Sequence, residues 1–189
     1  MSIEPGDIID QIKKGSQPAF KSLVETYQQY AFSLSFRILC NEEEARDAVQ
    51  ESFIKIWRKI NTYDRKAKFS TWMYRIITNT AIDRLRVIKR VKFIQLDEVS
   101  EKLENLIEID PAAQLDNKEL GQLIRYISEG LPEKQKLVFI LRDIQEMDSV
   151  EVQQILAMSE TAVKSNLYHA RQGVRDKLSR ILSYERSNT

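Results

Sequence analysis

Residues 69–92 read FSTWMYRIITNTAIDRLRVIKRVK, and this stretch decides the fold class of the chain. It contains neither glycine nor proline, and its apolar residues recur in steps of three and four, the period of an amphipathic helix. That apolar side consists of Trp72, Ile76, Ile77, Thr80, Ala81 and Leu85. The pattern predicts one long helix over residues 70–90. The chain as a whole has only five glycines and four prolines in 189 residues, which favours helices throughout.

The same stretch is strongly basic. Residues 65–92 contain nine lysines and arginines against one acid, Asp83, in a chain whose formal net charge is +1. A concentrated cationic face attracts nucleic-acid phosphates because binding releases their counterions. Tyr63, Phe69, Trp72 and Tyr74 lie at its start, and unstacked bases bind to such rings. Cations beside aromatics therefore indicate a surface for opened single strands, and core packing is the alternative for each ring taken singly.

Three helices are predicted before this basic helix. A short one covers residues 8–14, and a second opens at Ser16 with a stripe of apolar residues behind it. A third begins at Asn41, which forms an N-cap pair of the capping-box type with Glu44. Residues 61–68 are polar and lack periodicity, so we predict a loop that leads into the basic helix.

The helical pattern breaks over residues 91–116. From residue 93 onward, seven acids lie there against one cation, Lys102, together with Pro111. We predict an acidic linker over residues 93–115, with a partly helical stretch at 99–107. Beyond it the pattern predicts four further helices, at residues 117–128, 132–145, 149–156 and 160–182. The predicted fold is all-α, with an N-terminal helical bundle at 1–92 and a second small helical domain at 116–189.

Residues 149–171 predict a helix-turn-helix. The turn falls at residues 157–159, and Ser159 is a suitable N-cap for the second helix. The predicted exposed side chains of that helix are short, polar or basic, which suits base edges and phosphates in a major groove. A plain helical hairpin without DNA binding is the alternative.

Five acids cluster at the start of the third helix. They are Glu42, Glu43, Glu44, Asp47 and Glu51. Favourable interaction with the helix dipole explains the first three but explains Glu51 poorly, because it lies two turns further in. Together with Gln50, Lys55 and Trp57, the later acids indicate an amphipathic surface for a protein partner.

Several classes of protein are disfavoured. The only cysteine is Cys40 and the only histidine is His169, so neither an internal disulfide nor a triad or zinc site has the residues that it needs. The sequence has no glycine-rich phosphate loop. We expect no enzyme activity, no metal, no cofactor and no small-molecule substrate. The absence of a signal-peptide pattern and of a long apolar run predicts a cytoplasmic location.

Four motifs together resemble the extracytoplasmic-function subfamily of sigma-70 family sigma factors. The run DAVQE at 47–51, followed by Phe53 and Trp57, resembles the helix of conserved region 2. The run FSTWMYRI at 69–76 resembles the part of region 2 that melts promoters and reads the minus-10 element. The runs LP at 131–132 and VKS at 163–165 resemble parts of region 4.

The resemblance implies partners and a role for each matched residue. The core polymerase, through the clamp coiled coil of its largest subunit, would be bound by Asp47, Gln50, Glu51, Lys55 and Trp57. The minus-10 DNA would be bound by Lys66, Lys68, Phe69, Ser70, Thr71, Trp72, Arg75, Asn79, Asp83, Arg86, Lys89 and Arg90. The minus-35 DNA would be bound by Ser159, Glu160, Thr161, Lys164, Ser165, Asn166, Tyr168, Arg171 and Arg175. An anti-sigma factor is also implied as a partner.

The sequence departs from the family pattern in the helix-turn-helix. Ala157 replaces the glycine of the turn, and a left-handed residue other than glycine is strained. Gln153 replaces a small residue in the first helix, and Thr161 with Ala162 replaces the usual Gly-Thr pair. Two other functions stay open from the residues alone: an autonomous regulator that dimerises through its N-terminal domain and binds a two-fold site, and a helical protein-interaction adaptor.

Overall fold

The computed structural model of the protein describes residues 5–95, 117–128 and 130–187. All regular secondary structure in these ranges is helical, which confirms the predicted all-α class. The chain divides into two compact units, residues 1–99 and 100–189, and the division falls within the predicted linker. Residues 96–116, with the helical stretch predicted at 99–107, lie outside the described residues.

The first unit is a helical bundle. Its helices are α1 (Pro5–Lys13), α2 (Gln17–Leu39), α3 (Glu42–Lys59) and α4 (Phe69–Gln95), with a 3-10 turn, Ile60–Thr62, after α3. The helix start predicted at Ser16 and the cap predicted at Asn41 are confirmed: Ser16 accepts the backbone N–H of Ala19 at 3.4 Å, and Asn41 accepts that of Glu44 at 2.9 Å. Helices α2, α3 and α4 pack against one another, and α1 packs against α2. Their shared core contains the fully buried Leu34, Ile38, Ile56, Met73 and Ile77.

Two helix bounds in this unit differ from the prediction. α1 begins at Pro5 instead of residue 8, and α4 ends at Gln95 instead of residue 90. The first residues of the predicted linker, from 93 to 95, are therefore helical. Residues 91–95 contain no glycine or proline, so nothing local stops the helix where the basic run becomes apolar.

The second unit contains the predicted helix-turn-helix. Its elements are α5 (Asn117–Ser128), α6 (Glu133–Phe139), a π-helical segment (Ile140–Ile144), α7 (Ser149–Leu156) and α8 (Glu160–Ser187). The helix predicted over 132–145 is confirmed, with a last turn widened into the π segment. α8 extends to Ser187, beyond the predicted end at residue 182. Phe139, Ala170 and Val174 form a buried cluster against which Ile127, Leu131 and Ile144 pack.

Candidate nucleic-acid interfaces

One face of α4 is an exposed polar strip. Its side chains recur in steps of three and four, so they lie on the same side of the helix over about 22 Å at 1.5 Å per residue. The strip consists of Arg75, Asn79, Asp83, Arg86 and Arg90, with Lys89 beside it. The opposite face is buried in the bundle through Met73, Ile77 and Ala81. The structure thus brings half of the predicted minus-10 residues onto one surface.

Three aromatic rings form a cluster at the head of this strip. The Tyr63 ring lies 5.2 Å from the Phe69 ring and 5.5 Å from that of Trp72, and Phe69 stacks on Trp72 at 5.6 Å, centroid to centroid. Tyr63 is only 7% exposed, whereas Phe69 and Trp72 are half-buried. Tyr74 belongs elsewhere, because its ring stacks on Tyr30 of α2 at 4.5 Å. Phe69 and Trp72 therefore keep accessible ring surface, and Tyr63 supports them from beneath.

The segment before α4, which we call loop 63–68, has a defined conformation. The Tyr63 hydroxyl donates to the carbonyl of Ala67 at 2.7 Å. Asp64 accepts the backbone N–H of Lys66 at 3.2 Å and lies 3.1 Å from its ammonium, contacts that lower the pKa of the Asp64 carboxyl. Arg65 adopts a left-handed backbone with φ of 62°. The polar sequence predicted a loop here, and in the structure this loop folds into a hydrogen-bonded turn.

The remaining residues predicted around this loop are placed unequally. Lys66 and Lys68 are exposed, and Ser70 is half-buried. Thr71 is only 3% exposed, so its side chain offers little surface for the predicted contact with DNA. It lies on the inner side of the first turn of α4, where its neighbour Trp72 occupies the outer side.

One cation of the basic run points away from this surface. Arg84, whose side chain is 28% exposed, forms ion pairs with Glu44 and Asp47 of α3, the latter at 2.7 Å. Its hydrogen bond to the Glu44 carboxylate raises the pKa of Arg84. Counting it with the DNA-binding cations, as the run of charges implies, overstates the charge of the exposed strip. Arg84 instead ties α3 to α4.

The residues predicted to contact the polymerase lie along α3. Asp47 is paired with Arg84, and Glu51 lies 2.8 Å from Lys55, whose ammonium also donates to the Thr80 hydroxyl at 3.2 Å. Gln50 is exposed. The acids on this helix are therefore largely neutralised within the unit, and the surface is less acidic than the sequence indicates.

A groove of about 570 Å³ runs between α2 and α3 beside these residues. Gln50 and Trp57 line it together with Ile54, which is 45% exposed, and the Trp57 ring meets Phe20 edge-on at 4.9 Å. Ile54 is a residue that the sequence analysis missed. The spacing of 50, 54 and 57 on one helical face is the signal that could have identified it.

The turn of the helix-turn-helix has the strain predicted for it. Ala157 adopts φ 52° and ψ 47°, the left-handed conformation, and its N–H bonds to the carbonyl of Gln153. The N–H of Met158 bonds to the same carbonyl at 3.0 Å. Ser159 caps α8 as predicted, accepting the backbone N–H of Ala162 at 3.2 Å. The turn closes as a Schellman-type cap with alanine where glycine is preferred.

Most predicted minus-35 residues lie on the exposed side of α8. Ser159, Glu160, Thr161, Lys164, Ser165, Tyr168, Arg171 and Arg175 are exposed, and Asn166 is half-buried, its amide donating to the carbonyl of Ala162. Tyr168, 60% exposed, receives a hydrogen bond on its hydroxyl from Gln172 at 2.8 Å. This bond fixes where the phenol points.

The two cations nearest the turn are both paired with acids. Lys164 lies 2.6 Å from Glu160, whose pKa this hydrogen bond lowers. Arg171 donates two hydrogen bonds, at 2.8 and 2.7 Å, to Asp143 of the π segment, a contact that raises the pKa of Arg171. The fork geometry of this pair links α8 to the helix behind it.

Two features are absent from the described residues. No helix there is both long and apolar enough to span a membrane. Nor do three or more histidine, cysteine or acidic side chains converge as a metal site in that part of the chain.

Comparison with protein families gives two matches, one in each unit. A family model described as Sigma-70 region 2 matches residues 23–91, and one described as Sigma-70, region 4 matches residues 121–172. The ECF RNA polymerase sigma factor SigW of Bacillus subtilis is 34% identical over 176 residues, which cover 90% of this chain and 94% of that protein. The ECF RNA polymerase sigma-E factor of Escherichia coli is 30% identical over 181 residues, 93% of this chain and 94% of that protein.

Two solved structures share the fold. CnrH, determined in complex with the cytosolic domain of CnrY, gives a TM-score of 0.68 at 20% identity, covering 92% of this chain and 96% of CnrH. The sigma factor RpoE of Bartonella quintana, determined with the anti-sigma factor NepR, gives 0.64 at 20% identity, covering 85% of this chain and 96% of RpoE.

Proposed function

This chain belongs to the extracytoplasmic-function sigma factors of the sigma-70 family, RNA polymerase subunits of transcription initiation, and on that premise we propose how its two units act. The unit that ends with α4 is region 2, which binds core polymerase and the minus-10 DNA. The unit that begins with α5 is region 4, which binds the minus-35 DNA. The family is one of initiation factors, not enzymes, and the protein works in the cytoplasm with the polymerase.

Region 2 stabilises opened DNA by binding it. Bases of the non-template strand stack on Phe69 and Trp72, and loop 63–68 receives the base that leaves the stack. The strand then follows the strip from Arg75 to Arg90 along α4, whose cations contact its phosphates. Stacking contributes roughly 1–3 kcal/mol per base, so a few contacts offset the cost of unpairing a short segment.

The observation that carries this proposal is the continuity of ring surface and cationic strip on α4. Phe69 and Trp72 stack on each other at the head of the same helix face that exposes Arg75, Asn79 and Arg86. Duplex binding alone does not need the rings, and protein binding alone does not need the cations. A single strand needs both.

Core polymerase binds along α3, where Asp47, Gln50, Glu51, Lys55 and Trp57 face it. We add Ile54, because it is exposed between Gln50 and Trp57 over the groove beside α2. Since the acids are paired within the unit, apolar contact at this groove contributes more to binding than net charge does.

Region 4 places the N-terminal half of α8 in the major groove of the minus-35 element. Thr161, Ser165 and Tyr168 face base edges, and the cations Lys164 and Arg175 contact phosphates. Arg171 donates two hydrogen bonds to Asp143, so it fixes the position of α8 and contacts DNA only through the exposed edge of its guanidinium.

An anti-sigma factor is proposed as a further partner. Its support is the fold shared with the Bartonella quintana factor whose structure was determined with the anti-sigma factor NepR.

Transcription in vitro tests the proposed function. Core polymerase from the same organism is incubated with and without this protein on duplex DNA taken from upstream of its own gene. We expect initiation at one start site only when the protein is present. Trp72→Ala should reduce initiation on the duplex and regain much of it on a template unpaired across the minus-10 segment, whereas Ile54→Lys should fail on both because it blocks core binding.

Two outcomes would overturn the proposal. Footprinting of duplex DNA by the protein without polymerase, on a two-fold site, would favour an autonomous regulator. Unchanged activity after joint replacement of Arg75, Arg86 and Arg90 by glutamine would favour an interaction adaptor. Arg58→Gln, a change of an exposed cation on α3, serves as the control for loss of charge alone.

A further inference from the structure

We infer that α1 positions loop 63–68 for the opened strand, with Lys13 as the principal positioning residue and Asp10 as a second tie. The inference rests on the proposed function of that loop. It assigns a role to a helix that lies outside the residues matched by the region 2 family model, which begin at residue 23.

Lys13 contacts both the backbone and the ring of the first loop residue. Its ammonium donates to the carbonyl oxygen of Tyr63 at 2.7 Å and lies 5.7 Å from the centroid of the Tyr63 ring. That ring in turn packs against Phe69 and Trp72. One side chain of α1 therefore fixes the entry of the loop and the ring on which the two half-buried aromatics, Phe69 and Trp72, rest.

Asp10 contacts the middle of the loop. Its carboxylate accepts a hydrogen bond from the Arg65 guanidinium at 2.5 Å. Arg65 has φ of 62°, a backbone conformation that residues other than glycine rarely adopt. The pair is exposed and adds little to stability, but it restrains a residue whose backbone turns the chain toward α4.

α1 is held firmly enough to act as a support. Ile9 and Ile12 are buried, and the helix packs against α2 and against the 3-10 turn at Ile60–Thr62. A loop already ordered by these contacts loses less conformational entropy when it captures a base than a loop that must order on binding. Affinity for a specific base, more than affinity for the strand in general, therefore depends on α1.

Lys13→Met and Lys14→Met form a matched pair for the test. Each removes one positive charge from adjacent positions, and only Lys13 contacts the loop through its side chain in the described structure, since Lys14 is exposed. The probes are a single-stranded oligonucleotide with the non-template minus-10 sequence mapped in the transcription experiment, and copies with one base removed at each position.

Lys13→Met should weaken binding of the intact oligonucleotide to the holoenzyme by about five- to tenfold, less than the full effect of one charge-assisted hydrogen bond because the lost bond acts on the loop and not on the DNA. Binding of the copy that lacks the captured base should change much less, so the ratio of the two affinities falls. Lys14→Met should leave that ratio as it is in the unaltered protein. Lys13→Arg, which keeps a donor of similar reach, should restore part of it.

Amide hydrogen exchange in the full chain without polymerase gives a second readout. Exchange over residues 64–68 should accelerate in Lys13→Met and not in Lys14→Met. Asp10→Asn, which leaves the α1 core intact, should give a smaller change in the same direction and decides the question should Lys13→Met fold poorly. An unchanged affinity ratio together with unchanged exchange in these variants would overturn the inference.

The two proposals fail in different ways. If the unaltered protein directs no specific initiation, the proposed function fails and this inference falls with it, before any α1 variant is compared. If initiation is specific and Lys13→Met behaves as Lys14→Met does, region 2 keeps its function and α1 alone loses its role.

Discussion

The helices α4 and α8 are both assigned to DNA, but they hold their charges differently. On α4, the cation that pairs with acids of another helix, Arg84, points into the bundle, and the strip from Arg75 to Arg90 lies on another face, where Arg86 lies 3.7 Å from Asp83 of the same strip. On α8, the cation that pairs with an acid of another element, Arg171, is itself among the residues predicted to face DNA, as is Lys164, which pairs within the helix. The difference fits the two targets: an opened strand is bound mainly through phosphates and rings, and a duplex site through placed hydrogen bonds.

The largest effect should come from the inward cation of α4. Arg84→Ala leaves Glu44 and Asp47 without this partner, so the first unit should lose about 1–3 kcal/mol of unfolding free energy. Arg75→Ala, on the exposed strip, should leave stability unchanged and weaken binding of single-stranded DNA. Urea unfolding and fluorescence anisotropy measure the two properties. Equal stability of the two variants would contradict the division between an inward and an outward cation.

Glycine at the strained turn should stabilise the second unit. Ala157→Gly relieves a left-handed alanine whose side chain is exposed, and we expect a gain of about 1 kcal/mol. Cys40 of the first unit has the same φ of 52° but is buried, so Cys40→Gly should show no gain because the lost burial offsets the relief. Thermal unfolding of both variants compares the units directly. A gain at Cys40 as large as at Ala157 would contradict this account.

The pair between Asp143 and Arg171 should restrain binding of duplex DNA. Asp143→Asn weakens the hydrogen bonds to the Arg171 guanidinium, which can then contact a DNA phosphate. The slope of log affinity against log salt concentration should therefore steepen by up to about 0.9. Asp176→Asn removes the same charge from an exposed site on α8 and should change the slope less. Titration of duplex DNA at several salt concentrations measures the slope for each variant. Identical slopes in the two variants would mean that the loss of one negative charge, and not the release of Arg171, explains the effect.

The smallest effect concerns Glu160. Its hydrogen bond with Lys164 lowers its pKa, so the pair is present above the ordinary carboxyl pKa and is lost as the pH falls through the lowered value. Lys164→Met should return the pKa of Glu160 toward the ordinary glutamate value. A titration of the carboxyl carbon by NMR follows this change, and Lys177→Met is the control at a distance. An unmoved pKa would mean that the pair does not persist in solution.

Local pattern accounts for most of the fold. The apolar period of α4, the helix start at Ser16, the caps at Asn41 and Ser159, and the strained turn at Ala157 were all predicted, because each depends on residues within four positions of one another. The helix ends were less accurate. α4 and α8 continue past their predicted ends because no breaker stops them.

For the site residues, the sequence predicted which side chains are exposed only where helical spacing alone places them on the outer face. Arg75, Asn79 and Arg86 share a face because helical spacing requires it. The burial of Thr71 was not predicted, because its motif gives its neighbours but not the depth of the bundle around it. Ile54 was missed because the groove beside it is formed partly by α2.

Two helical units, the basic run and the resemblance to the family are all readable from the amino-acid sequence. Which charges of that run face outward depends on how the helices pack, because Arg84 meets Glu44 across 40 positions of sequence. The tertiary structure alone joins α1 to loop 63–68, through contacts that span 50 and 55 positions. The physical reason is the same in each case: period and capping act over a few residues, whereas ion pairs and ring contacts depend on which helices the buried core brings together.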